Sequence, residues 1–97
     1  MSEKITESSG NVFSDLGFLP EEAENLRIRS ELMMSIKCYI KERGWNQIQA
    51  AENFGVAQPR ISEIFQGKIE LYSVDKLINM LSRVGQHISI KVSSQAA

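Results

Sequence analysis

Ninety-seven residues, 42% of them hydrophobic, suffice for one domain with a small core, and no apolar run approaches the roughly 20 residues of a membrane-spanning helix. A single cysteine excludes an intrachain disulfide framework, and the opening "MSEKITESSG" lacks the apolar stretch of a signal peptide, so a cytoplasmic location is expected. The formal net charge of −1 and the sequence pI of about 5.8 offer no general attraction for a polyanion.

The charge is unevenly spread. Residues 1–36 hold three basic and seven acidic groups, residues 37–70 five basic and four acidic, and residues 71–97 three basic and one acidic. Affinity for a nucleic acid depends on local phosphate contacts, so the mildly basic last two thirds matter more than the total.

Residues 1–11 are polar and Ser-rich and are expected to form a disordered tail. Residues 12–92 are expected to form the domain, and residues 93–97 a second tail. "NVFSDLGF" places Val12, Phe13, Leu16 and Phe18 in a short apolar segment that packs across the domain. Pro20 to Arg43 reads as one long helix. Pro20 suits its first turn, Glu21, Glu22 and Glu24 complement the positive end of its dipole, and Gly44 ends it. Leu26, Ile28, Leu32, Met33, Ile36, Tyr39 and Ile40 recur on one broad face, with Met34 and Cys38 opposite. The half "PEEAENLRIRSE" is spare length for a small helical domain.

Asn46 is a good cap for a second helix, Gln47 to Phe54, in which Ala50 and Ala51 allow close approach of a neighbour. Gly55 supplies the left-handed turn after it. A third helix starts at Pro59, with Ile61, Ile64 and Phe65 at helical spacing and Gly67 closing it. Ser73 caps a fourth, whose inward residues are Val74, Leu77, Ile78, Leu81 and Val84. Trp45 reads as a core plug ahead of the second helix.

The end of the chain changes period. In "HISIKV", Ile88, Ile90 and Val92 alternate with His87, Ser89 and Lys91, which predicts a β-strand. A lone strand leaves its backbone groups unpaired. The same strand of a second copy is the expected partner, making a homodimer. The Val12–Phe13 segment and the sheet edge of another protein are the alternatives.

Two short helices around a glycine turn, the second opening on exposed polar residues, make the DNA-binding helix-turn-helix pattern. On a helical wheel Pro59, Glu63 and Gln66 point away from the core, Arg60 and Ser62 lie on the flanks, and Gln58 leads. A leading Gln can pair with adenine in two hydrogen bonds, and an Arg with guanine or a phosphate. Ser can serve either, and Glu63 can accept from a cytosine amino group although it repels phosphate. Gln47, beside the capping Asn46, suits a phosphate, as does Lys68 after the third helix. The expected DNA-contact set is therefore Asn46, Gln47, Gln58, Pro59, Arg60, Ser62, Glu63, Gln66 and Lys68. The expected dimerisation set is Ile88, Ile90 and Val92.

"WNQIQAAENFGVAQPRISEIFQGK" resembles the Xre family of repressor-like helix-turn-helix domains. Gln47, Ala51, Gly55, Ile61, Ser62 and Gly67 match its pattern in register. Ala50 departs where the family usually has Leu. Ala57 departs where a Ser or Thr often precedes the recognition helix, which removes a cap or phosphate contact. "NVFSDLGF", "EAENLRIRSEL" and "LYSVDKLINMLSRVGQHISIKV" are similar to HigA-type antitoxins. The resemblance implies a mainly α, four-helix repressor-like fold with one C-terminal β-strand pairing across a dimer. It also implies autorepression at a pseudo-palindromic operator in the nucleoid and neutralisation of a RelE-like ribonuclease toxin. A stand-alone Xre-type regulator without a toxin is the alternative. No cofactor or metal is expected. Cys38 has no second Cys nearby, and His87, the single His, lies on the polar side of the expected strand. No phosphate-cradling glycine loop or catalytic triad is present, so an enzyme is not expected.

Overall fold

The computed structural model describes residues 11–94. The described chain runs through α1 (Val12–Asp15), α2 (Pro20–Arg43), α3 (Gln47–Phe54), α4 (Gln58–Phe65), a 3-10 turn (Ile69–Leu71) and α5 (Val74–Arg83). The architecture is mainly α, as the periodicity implies. The disorder expected at the N-terminus falls on residues outside the described ones except for Asn11, which is placed. Its side-chain oxygen accepts from the backbone N–H groups of Phe13 and Ser14. Its amide donates to the Ala23 carbonyl at 3.1 Å, which ties α1 to the first turns of α2.

Helix α2 has the bounds its end signals dictate. Pro20 sits in the first turn with Glu21 and Glu22, Lys41 and Arg43 sit in the last, and Gly44 adopts φ 71° beyond it. Its 24 residues make a rod of about 36 Å at ~1.5 Å per residue. Met33, Ile36 and Ile40 are buried on one face, and Met34 and Cys38 are exposed on the other.

The core lies where α2 meets the three later helices. Phe54, Ile36, Ile61, Ile64 and Leu77 are fully buried, with Met80, Leu81, Tyr72, Ala50 and Ala51 around them. The two alanines let α3 approach closely, as small side chains should. Trp45 plugs the α2–α3 corner, its ring edge-on to Tyr39 at 5.7 Å and to Phe54 at 6.3 Å. Such edge-to-face pairs add to plain area burial.

Two features depart from the sequence expectations. The first half of α2 is not spare. Ala23 is buried beneath α1, and the Arg29 guanidinium Nη1 donates to the carbonyls of Ile69 at 3.3 Å and Tyr72 at 3.2 Å. Arg29 thereby clamps the 3-10 turn, an element the pattern did not predict. The second departure is the C-terminus. Residues 86–94 form no strand in the described chain. A ladder requires a second strand, and none of the described residues provides one. The Val12–Phe13 segment is not available for pairing, because it is helical in α1. Ile88 instead packs against the core, while Ile90 is 78% and Val92 91% exposed. His87 is exposed.

Candidate nucleic-acid interface

The α3–turn–α4 unit owes its shape to local signals. Asn46 and Gln49 form a reciprocal capping box: the Asn46 side chain accepts from the Gln49 N–H at 2.8 Å, and the Gln49 side chain from the Asn46 N–H at 2.9 Å. Two orphan donors at the start of α3 are thus satisfied. At the other end Gly55 adopts φ 70°, with only ordinary contacts around the position a Cβ would take. The left-handed backbone, not lack of space, is what calls for glycine there. Helix α4 begins at Gln58, one residue before Pro59, and Ala57 gives it no side-chain cap. That fits the absence of a Ser or Thr at that position.

The structure gathers most of the expected contact residues. Gln58, Pro59, Ser62, Glu63 and Gln66 of α4, with Gln47 of α3 and Lys68 beyond α4, line one open depression of about 430 Å³. Seven of the nine candidates therefore share one face. The Gln66 amide donates to the Ser62 hydroxyl at 3.1 Å, which holds both side chains toward each other. Amides and hydroxyls offer donors and acceptors together, the chemistry base edges require.

The other two candidates lie elsewhere. Asn46 is exposed beside Gln47, but its side-chain oxygen is occupied by the capping box. Arg60 leaves the depression and lines a second cleft, shared with Lys76 and Arg83 of α5. Glu63 is more constrained than an outward acceptor would be. Its Oε1 lies 2.7 Å from the Tyr72 hydroxyl, which donates to it, and 3.5 Å from Arg60 Nη1. The Glu63 side chain is consequently only 25% exposed. The Tyr72 hydroxyl is also 3.1 Å from the Arg60 carbonyl. Burial, reinforced by the neighbouring Glu63 carboxylate, pushes the Tyr72 phenol up to about 12. It thus stays a neutral donor and anchors the side of α4.

Sequence reasoning missed Tyr72, Lys76, Arg83 and Arg29. Lys76, Asn79 and Arg83 are spaced i, i+3, i+7, and that polar stripe on one helix face was a usable signal. Tyr72 and Arg29 carried no local signal, because their partners lie across the fold.

A family model described as a helix-turn-helix domain matches residues 12–93. The chain belongs to this helix-turn-helix family. No curated protein matches the sequence. The helix-turn-helix assignment covers the whole described fold, from α1 through the C-terminal segment, and is that of a DNA-binding regulator. Helix α3 is the first and α4 the second helix of the helix-turn-helix pair. Among the described residues no helix is long and apolar enough to cross a membrane, and no group of His, Cys, Asp and Glu could hold a metal ion.

Proposed function

We propose that this helix-turn-helix protein is a sequence-specific transcriptional repressor that acts as a homodimer, and that it is the antitoxin of a toxin–antitoxin operon. The observation that carries the DNA-reading part is the single open face on which Gln58, Ser62, Gln66, Gln47 and Lys68 converge. Gln58 and Ser62 meet base edges, Gln47 and Lys68 meet phosphates, and Pro59 sits in the first turn of α4 without a wasted N–H. Glu63, bound to Tyr72, presents at most one carboxylate oxygen to a cytosine amino group.

Dimerisation places two copies of α4 in successive major grooves, about 34 Å apart on a pseudo-palindromic operator. The alternating, exposed Ile90 and Val92 support a ribbon between copies, with Ile88 at its root against the core. Two copies also double the phosphate contacts, which offsets the low charge of one.

The antitoxin part rests on the acidic arm formed by α1 and the first turns of α2. Val12, Leu16 and Leu19 are 59%, 69% and 60% exposed there, beside Glu21 and Glu22. An apolar patch rimmed by carboxylates suits a basic, RNA-cleaving partner such as a RelE-like toxin. A stand-alone regulator would have no need of that patch.

The test is a gel-shift titration of the gene's own upstream DNA. Gln58→Ala should weaken binding by about 1–3 kcal/mol, concentrated at one base position. Unchanged affinity and unchanged sequence preference would reject the docking of α4. Co-purification with the product of a neighbouring small basic reading frame, and relief of its toxicity, tests the antitoxin part. A chain that neither binds nor rescues is the stand-alone regulator.

A further inference from the structure

The recognition helix has a second flank that the reading face does not use. The flank bearing Phe65 faces the α2–α3 corner, where Gln47 and Trp45 share a groove with it. The flank bearing Arg60 faces α5 across a cleft of about 250 Å³. Arg60, Lys76 and Arg83 supply three cations to that cleft, Asn79 supplies an amide, and Tyr72 and Met80 form its buried floor. No carboxylate lines it. Glu63 approaches Arg60 from the reading-face side, where the Tyr72 hydroxyl holds it.

The cations are not equally engaged. Arg60 pairs with Glu63, and Arg83 donates to the carbonyls of Phe54 and Gly55 at 3.3 and 3.2 Å. The side chains of Lys76 and Asn79 make no hydrogen bond or ion pair among the described residues. Glu63 offsets one of the three cations, and the remaining positive charge around the cleft favours an anion there. The size limits which anion. Pockets that enclose small-molecule ligands run from roughly 300 Å³ upward, whereas this open cleft fits a phosphate group carried on something larger.

From this arrangement we infer that the α4–α5 cleft grips a backbone phosphate of the DNA strand on the far side of the groove, with Lys76 and Asn79 as its free donors and Arg60 and Arg83 framing them. The inference rests on the DNA-binding reading above and names contacts that the reading face lacks. A helix lying in the major groove has a sugar–phosphate strand on each side. Gln47 and Lys68 serve one strand, and the cleft serves the other. The contact carries no sequence information; it fixes how deeply and at what tilt α4 sits.

Salt dependence of binding reads this directly. A random-sequence DNA duplex is titrated with wild-type protein, Lys76→Gln and Arg27→Gln over a range of KCl concentrations. Arg27→Gln removes the same charge from the exposed ion pairs with Glu24 and Glu31, at the far end of α2. Lys76→Gln should make the slope of log affinity against log salt shallower by about 0.9, the loss of one phosphate contact. Between ~50 and ~200 mM KCl the variant then loses about threefold less affinity than wild type. Arg27→Gln should keep the wild-type slope. Equal slopes for all three proteins, or equal changes in both variants, overturn the cleft contact. If Gln58→Ala still alters preference on the gene's upstream DNA, the reading of α4 survives that result. Titration with inorganic phosphate separates the sources: a free-phosphate site at Lys76 with an unaltered DNA slope also overturns the inference. A wild-type protein with no affinity for any duplex removes both readings together.

Discussion

The helix-turn-helix core and the N-terminal arm are built on opposite terms. In the core, Phe54, Ile61, Ile64 and Leu77 are fully buried, and α3 and α5 each start at a side-chain cap. In the arm, Ala23 is the buried residue, and Val12, Leu16, Phe18 and Leu19 stand at 45% exposure or more. Tight packing therefore gathers in the helix-turn-helix unit, and α1 with the start of α2 adds little to it. If the arm is the partner surface proposed above, stability and partner contact sit at different ends of one chain. Arg29 is the joint between them, since it sits in α2 and holds the turn that follows α4.

Substitutions break this contrast in graded fashion. Phe54→Ala should cost about 3–5 kcal/mol, because the ring is fully enclosed and its removal leaves a cavity. Chemical denaturation should show a chain close to unfolded. Arg29→Leu removes the side-chain donor to the Tyr72 carbonyl and one of two donors to the Ile69 carbonyl, which keeps the Tyr72 N–H, a loss of about 1–3 kcal/mol. The lower end is expected, since the Arg29 Nε is itself buried without a partner and its removal recovers part of the loss. A drop in melting temperature of several degrees would match.

Alkaline titration sharpens the view of the tyrosine that anchors α4. The Tyr72 phenol is raised in the fold, so the unfolded chain loses its proton first, near pH 10. Its stabilising effect is complete below about pH 10 and is lost as the pH rises to about 12. Tyr72→Phe should flatten the stability profile in that window, and a persistent fall would assign it to another group. The smallest effect belongs to the arm. Leu16→Ser should change stability by no more than about 0.5 kcal/mol, yet weaken capture of the proposed toxin partner. A large loss of stability would show that the arm is part of the core after all.

Legibility followed the range of the interactions. Pro20, Gly44, Asn46, Gly55 and Ser73 signal to residues a few positions away, and the helix bounds they imply agree with the structure to within a residue or so. That Gln58, Ser62 and Gln66 share one face was legible for the same reason, since they need only the helical period to align. The Arg29 clamp and the Tyr72–Glu63 bond depend on residues 9 to 43 positions apart. The cleft depends on how α5 lies against α4, which no local pattern encodes. The period of two at the C-terminus was plainly written, but a ladder is a property of two strands, and one sequence describes only one of them.

Cys38 gives the chain a convenience unrelated to its chemistry. It is the sole thiol, and it is exposed within α2, on the face turned away from the core. A maleimide spin label would attach at that one point without engineering. Two labelled copies in one assembly then report a single distance, a lone copy reports none, and the addition of DNA shows whether the two copies draw together to span successive grooves.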